Sequence, residues 1–242
     1  MVHLDSLTLL VVVVFFGATL LRSALGFGEA LIAVPLLAFA VPVKVAAPVA
    51  ALASVTVAAS VLIQDWRHVR LDSALRLIGP TLVGIPIGLL LLTRAPERLV
   101  KAGLALVILG FAAQALNKPH WRLESERFAW FFGLVAGVLG GAYGMNGPPL
   151  AMYGALRRWS PAEFRATLQG YFLPASAMGI AGYWMAGLWT PGVTRFYLAS
   201  LPGILTAIVA GRYLNRRISA GRFTKAVYTA LLVVGLLLLT IS

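Results

Sequence analysis

Two stretches of this chain combine residues able to hold an anion with residues that break a helix and free its backbone amides. The first is Gly26-Phe27-Gly28-Glu29-Ala30, running on to Pro35. The second is Gly140-Gly141-Ala142-Tyr143-Gly144-Met145-Asn146-Gly147-Pro148-Pro149. Each follows an apolar span. An interrupted helix presents free N–H groups, and its positive dipole end can bind an anion without a formal charge. In the second stretch the prolines remove two amide donors, while Asn146 adds a side-chain amide and Tyr143 a hydroxyl. The amides around Gly144–Gly147 are therefore the expected anion ligands, with Asn146 and Tyr143 as side-chain donors.

Glu29 is the one acidic residue of eight set inside an apolar, glycine-broken segment. A carboxylate in a membrane interior is costly unless paired or protonated. One reading makes Glu29 a proton-coupling group or a gate. A second makes it the partner of Arg22, seven residues earlier. On an unbroken helix the two would stand about 10 Å apart along the axis, so contact requires a bend at Gly26 or Gly28. A third places Glu29 near an interface, solvated. Further along, Arg165, Thr167 and Gln169 open a long apolar segment and could meet an anion at the cytoplasmic mouth. Arg165 also reads as an ordinary cytoplasmic anchor. Gly137, Gly140, Gly141 and Gly144, at three- and four-residue spacing, suit close helix packing.

Catalytic signatures are missing. His3, His68 and His120 lie at the terminus or in loops, without an HExxH pair or a His/carboxylate cluster, so no metal site or cofactor is expected. Neither a GxSxG elbow nor a Walker-type loop occurs, which argues against ATP-driven transport by this chain alone. With no cysteine, disulfides and thiolate sites are excluded. Three alternatives to a transporter stay open: a membrane enzyme using Glu29 or a serine, an assembly subunit without transport of its own, and a proton or cation channel around Glu29.

The elements that position these residues are membrane segments. Of 242 residues, 60% are hydrophobic and 12% charged, too few charges for a soluble surface of this size. The net charge of +12 falls mainly at the ends of apolar runs, as expected for cytoplasmic loops facing anionic lipid. No soluble basic domain exists to bind nucleic acid. Residues 7–21 are preceded by His3 and Asp5 but by no lysine or arginine, so they read as a first membrane segment rather than a signal peptide.

The apolar runs are 7–25, 28–43, 45–64, 74–93 and 98–116, then 128–143, 145–157, 164–187, 193–214 and 223–241. The polar stretch 117–127 separates two halves, 1–116 and 128–242, which align at an offset near 118. Gly26 then lies opposite Gly144, Glu29 opposite Gly147, Pro42 opposite Pro161, Trp66 opposite Trp184 and Pro80 opposite Pro202. Trp66 and Trp184 suit an interfacial aromatic belt. Broken segments in matching positions of two repeats point to a transporter site near the membrane midplane. The expected fold is an all-α polytopic bundle of two related halves, inverted if both short segments cross, with eight to ten membrane segments. Ten crossings put 15 of the 20 Lys/Arg on one side, against 13 to 7 for eight, so the positive-inside rule favours ten. Both versions place the termini outside, and the position of Arg94, Arg98 and Lys101 separates them.

These residues resemble the TauE/SafE family of membrane transporters, which includes exporters of sulfite and organosulfonates. The resemblance rests on Gly26-Phe27-Gly28 followed by Val34-Pro35-Leu36-Leu37, on Gly140 through Pro149, and on the spacings Pro42 to Ala47 and Pro161 to Ala166. It implies a two-repeat helical transporter moving sulfur oxyanions or organic acids. Glu29 makes protons a candidate coupling ion, the inner (cell) membrane is the expected location, and a homo-oligomer is a candidate assembly. The first motif departs from the family's usual run of glycines, with Glu29 and Ala30 in that place. That carboxylate would repel an anion unless protonated or paired. The substrate-binding candidates are Gly26, Gly28, Tyr143, Gly144, Asn146, Gly147, Pro148, Arg165 and Gln169, and the coupling or gating candidates are Glu29 and Arg22.

Overall fold

Long apolar runs in this chain end where glycine, proline or a polar cap makes continuation unfavourable, and each such point is a helix boundary. The structure, a computed structural model, describes residues 5–117, 123–215 and 220–240. Among them run ten α-helices: α1 (Ser6–Leu25), α2 (Glu29–Leu37), α3 (Val43–Asp65), α4 (Leu71–Arg94), α5 (Glu97–Asn117), α6 (Ala129–Tyr143), α7 (Gly147–Leu156), α8 (Pro161–Met185), α9 (Pro191–Asn215) and α10 (Ala220–Thr240). Asp5 caps α1 by accepting the Thr8 amide at 2.9 Å, and Ser160 and Glu163 form a reciprocal capping box on α8. Gly26 and Gly144 close α1 and α6 at φ of 90° and 64°, a backbone that favours glycine.

Five helices, α1, α3, α4, α5 and α9, are long and apolar enough to cross a membrane. Together with the absence of strands among the described residues, they make a polytopic helical bundle, as the apolar runs predict. Two predicted segments are shortened. The run 28–43 becomes the nine-residue α2 followed by a turn, because Pro42 disfavours a helical residue before it. The run 145–157 becomes the ten-residue α7, started by Pro148 and Pro149, whose missing N–H groups suit the first turn. At about 1.5 Å per residue, α2 and α7 reach about half of a hydrocarbon core roughly 30 Å thick.

The direction of each helix follows from its contacts. Helices α1 and α9 run parallel: Asp5 pairs with Arg195, Gly203 faces Val12 and Phe16, and Gly211 faces Leu20 and Ser23. Helices α4 and α6 also run parallel, with Leu77, Thr81 and Ile85 against Gly133, Gly137 and Gly141. By contrast α3 and α8 are antiparallel, since Ser54 meets Ser176 while Val69, beyond the end of α3, meets Gly170. Lys44 bonds the Thr93 carbonyl and Glu97 accepts the Val43 amide, so the start of α3 and the corner between α4 and α5 share one end of the bundle. At the other end, Leu123 donates to the Leu156 carbonyl and Arg157 pairs with Glu126.

The four spaced glycines divide their tasks. Gly137 and Gly141 bring α6 into backbone contact with α4. Gly140 leaves room for the Asn146 side chain, and Gly144 lies over the Ala47 carbonyl. Trp66 and Trp184 are exposed near the ends of α3 and α8.

Candidate functional site

The two breaks meet. Gly28, with φ of 103°, precedes α2, and Asn146 precedes α7, so the N-terminal ends of both short helices converge. They do so level with Ser54 at the middle of α3 and Phe172 near the middle of α8. A cavity of about 20 Å³ lies between them, lined by Gly28, Glu29, Asn146, Gly147, Ser54 and Phe172 among others. That volume holds about one water molecule.

Beside the cavity stands a buried polar network. The bend at Gly26 and Gly28 folds Glu29 back onto α1, and Arg22 Nη1 donates to Glu29 Oε2 at 2.8 Å. The side chains are only 3% and 1% exposed. Arg22 also donates to Ser54 Oγ at 3.0 Å and to Gln169 Oε1 at 2.8 Å, and its guanidinium carbon lies 5.0 Å from the Phe172 ring centre. The second Glu29 oxygen accepts from the Thr19 hydroxyl. Gln169 Nε2 donates to the Gly26 carbonyl at 2.8 Å, tying α8 to the first break. Ser176 Oγ donates to Ser54 Oγ at 3.2 Å. Burial makes such a pair costly to break, because either partner left alone is an uncompensated charge. Arg22 Nε and Asn146 Nδ2 are buried without a hydrogen-bond partner.

Free amides are unevenly shared between the breaks. At the second, Gly144 N bonds Gly140 O, Met145 N bonds Leu139 O, and Pro148 and Pro149 have no N–H, leaving Asn146 and Gly147. At the first, the amides of Glu29, Ala30 and Leu31 open α2 with no intrahelical acceptor, and all three residues line the cavity. The expected emphasis on Gly144–Gly147 therefore shifts towards α2.

Of the other candidates, Gly144 and Pro148 line the cavity, whereas Gly26 sits just behind it, in contact with the stem of Arg165. Arg165 is half-buried and forms no ion pair among the described residues. Gln169 belongs to the buried network rather than to a mouth. Tyr143 points elsewhere, its hydroxyl donating to the Val100 carbonyl at 3.1 Å. Thr19, Ser54, Ser176 and Phe172 escaped the sequence reading, because single small polar or aromatic residues in apolar helices carry no local signal.

A second cavity of about 330 Å³ opens in the half of the bundle holding the ends of α5 and α7 and the start of α8. Phe27 lines it, and the same ring lies 3.6 Å from where a Cβ on Gly147 would stand. With edge contacts to Phe111 and Phe164, Phe27 separates this vestibule from the small central cavity.

The family model for the sulfite exporter TauE/SafE matches residues 10–238, nearly the whole chain. The chain belongs to that family. TauE/SafE membership and the apolar helices make it an integral membrane protein of a transporter family. Searches of curated proteins and of solved structures returned no match. The TauE/SafE match spans both breaks and every residue of the buried network.

Proposed function

We propose that the chain is a secondary transporter carrying a small oxyanion, such as sulfite, an organosulfonate or a related organic acid, across the inner (cell) membrane. The observation that carries this is the convergence of two helix N-termini on a common cavity level with the middle of α3 and α8. Both dipoles favour negative charge there, and Asn146 Nδ2 supplies a buried donor without a partner. Arg22 and Glu29 are the charged residues of the lining. The cavity, with room for about one water as it stands, widens to admit the anion; the Asn146 amide and the free N–H groups opening α2 then hold it, and Phe27 is the barrier it passes from the vestibule. No catalytic role is assigned.

The bundle is two inverted repeats, α1–α5 and α6–α10, each of five membrane segments, of which α2 and α7 reach only from the middle to one end. Support comes from matched roles. Gly26 and Gly144 close the first helix of each half, Glu29 and Gly147 open the second, and the α1–α9 contact mirrors that of α6 with α4. The antiparallel α3 and α8 fit inverted halves. The linker packs on the end of α7 and on Arg157, and the corner carrying Arg94, Arg98 and Lys101 lies with Lys44 at the opposite end, as ten segments require and eight crossings do not. Both termini then face outward and the basic loops face the cytoplasm.

Reconstituted into liposomes, the protein should show saturable flux of labelled sulfite that responds to an imposed pH gradient. Asn146→Ala should raise the apparent KM for sulfite about tenfold, the loss of one hydrogen bond to a charged group, with little change in yield. An ion conductance without saturation would replace the carrier by a channel.

A further inference from the structure

Resting on the transporter reading above, we infer that Glu29 is a built-in competitor for the substrate on Arg22. Its carboxylate occupies the place an anion oxygen takes once Glu29 is protonated, so that one proton and one monovalent anion move together.

The geometry assigns each part. Arg22 is the cation of the cavity lining, and its Nη1 faces Glu29 Oε2 and Ser54 Oγ. Its other terminal nitrogen is engaged by Gln169, which is held in turn by the Gly26 carbonyl. Only the Glu29 contact is with a group that can give up its charge. A proton arriving on Oε2 neutralises the carboxylate and removes the claim on Nη1. The anion then bonds the freed N–H together with the α2 amides and Asn146 Nδ2. The protonated carboxyl keeps a partner, because the Thr19 hydroxyl goes on donating to its other oxygen, Oε1.

Other ionisable groups stand apart. On the helices packed against α2, Lys44 lies at the start of α3, and Glu97, Arg98 and Lys101 lie in the first turns of α5. All four are at the C-terminal end of α2, away from Glu29. Tyr228 of α10 packs on Phe111 in the vestibule, and Arg165 of α8 lies behind Gly26.

Charge counting then selects the coupling. With Glu29 ionised and no anion, the buried site carries +1 and −1. With Glu29 protonated and a monovalent anion on Arg22, it again carries +1 and −1. The two remaining combinations leave a net buried charge, which membrane burial strongly disfavours. Only the neutral states can change access, so proton and anion travel in the same direction and exchange in opposite directions is excluded.

Methanesulfonate is the probe, because it keeps a single negative charge across the working pH range while sulfite does not. In wild type, its apparent Kd should weaken about tenfold per pH unit once Glu29 is ionised, the slope for one linked proton. Flux in liposomes should carry one proton per anion and stay unchanged when the membrane potential is clamped at different values. Glu29→Gln should bind methanesulfonate with the low-pH affinity of wild type at every pH and move no protons. Should Glu29→Gln fail to fold, Thr19→Val provides the second test: losing the hydroxyl donor disfavours the carboxylate, so the pH midpoint for binding moves up. An unaltered pH slope in Glu29→Gln, an unmoved midpoint in Thr19→Val, or flux that follows the potential would overturn the competitor role while leaving an anion transporter. If wild type binds neither methanesulfonate nor sulfite at any pH, the transporter reading falls, and the competitor role falls with it.

Discussion

Adding one carbon at Gly137 tests how closely α4 and α6 approach. A Cβ there would stand 2.6 Å from the Thr81 carbonyl oxygen and 2.9 Å from the Cα atoms of Thr81 and Gly84. Favourable carbon contacts lie at about 3.5–4.0 Å, so the helices must part by roughly 0.6–1 Å, forfeiting a quarter to a half of the dispersion well at each contact. Because backbone atoms sit on both sides, no rotamer change relieves the clash. Overpacking of this kind costs about 1–3 kcal/mol. Alanine returns about 0.5–1 kcal/mol of helix propensity, so the comparison needs a glycine with open space around it. Gly110 on α5 is such a position, with nothing within 4 Å of an added Cβ. Gly110→Ala should therefore be neutral or stabilising, and Gly137→Ala should melt about 2–12 °C below it, taking about 2–4 °C per kcal/mol at this chain length. The six tryptophans give a fluorescence readout of melting in detergent. Gly137→Ala melting at or above Gly110→Ala would refute backbone contact between the two helices.

Arg22→Met and Glu29→Met should each lower stability by about 3–5 kcal/mol, while the double variant recovers most of the loss; additive losses in a four-protein melting cycle would show that the two do not act as a pair. Phe27→Ala should open the vestibule to the central cavity. The chain has no cysteine, so Ala30→Cys in the cavity wall can be labelled without background, and Phe27→Ala should speed its reaction with a charged thiol reagent at least about tenfold. An equal rate would remove Phe27 from the path. Tyr143→Phe should lose about 0.5–1.5 kcal/mol of stability, the worth of its bond to Val100, without altering the apparent KM for sulfite. A raised KM would bring the hydroxyl back to the substrate.

The breaks were legible in the sequence because glycine and proline act locally: an αL turn at Gly26 or a missing amide at Pro148 needs no distant partner. The pairing of Arg22 with Glu29 was legible only conditionally, through the bend it requires, and both Gly26 and Gly28 provide that bend. What stayed hidden depends on tertiary contact. Ser54 reaches Arg22 across 32 residues and Gln169 across 147, and nothing in an alanine-rich stretch marks one serine as a ligand. Its sequence position suggests a mouth residue for Gln169, but helix α8 carries it two turns inward, to the network. Which amides at the second break are free depends on how α6 ends, with Gly144 and Met145 bonded back to Gly140 and Leu139, and glycine spacing does not reveal that.

Around Ser54, helix α3 is rich in alanine, set between the buried Val49 and Val57. Ala50 and Ala58, one turn to either side, are fully buried, as are Ala46, Ala47 and Ala53. The start of α3 is fixed by the Glu97 and Lys44 bonds, and Thr56, two residues on from Ser54, shares a 2.7 Å hydrogen bond with the Tyr197 hydroxyl. The bonds from Ser54 to Arg22 and Ser176 add a further tether, one that an alanine at that level could not make. Among these tethers the Ser54 hydroxyl runs through Arg22 to Glu29, so protonating Glu29 loosens α3 at that one point and leaves its other anchors in place.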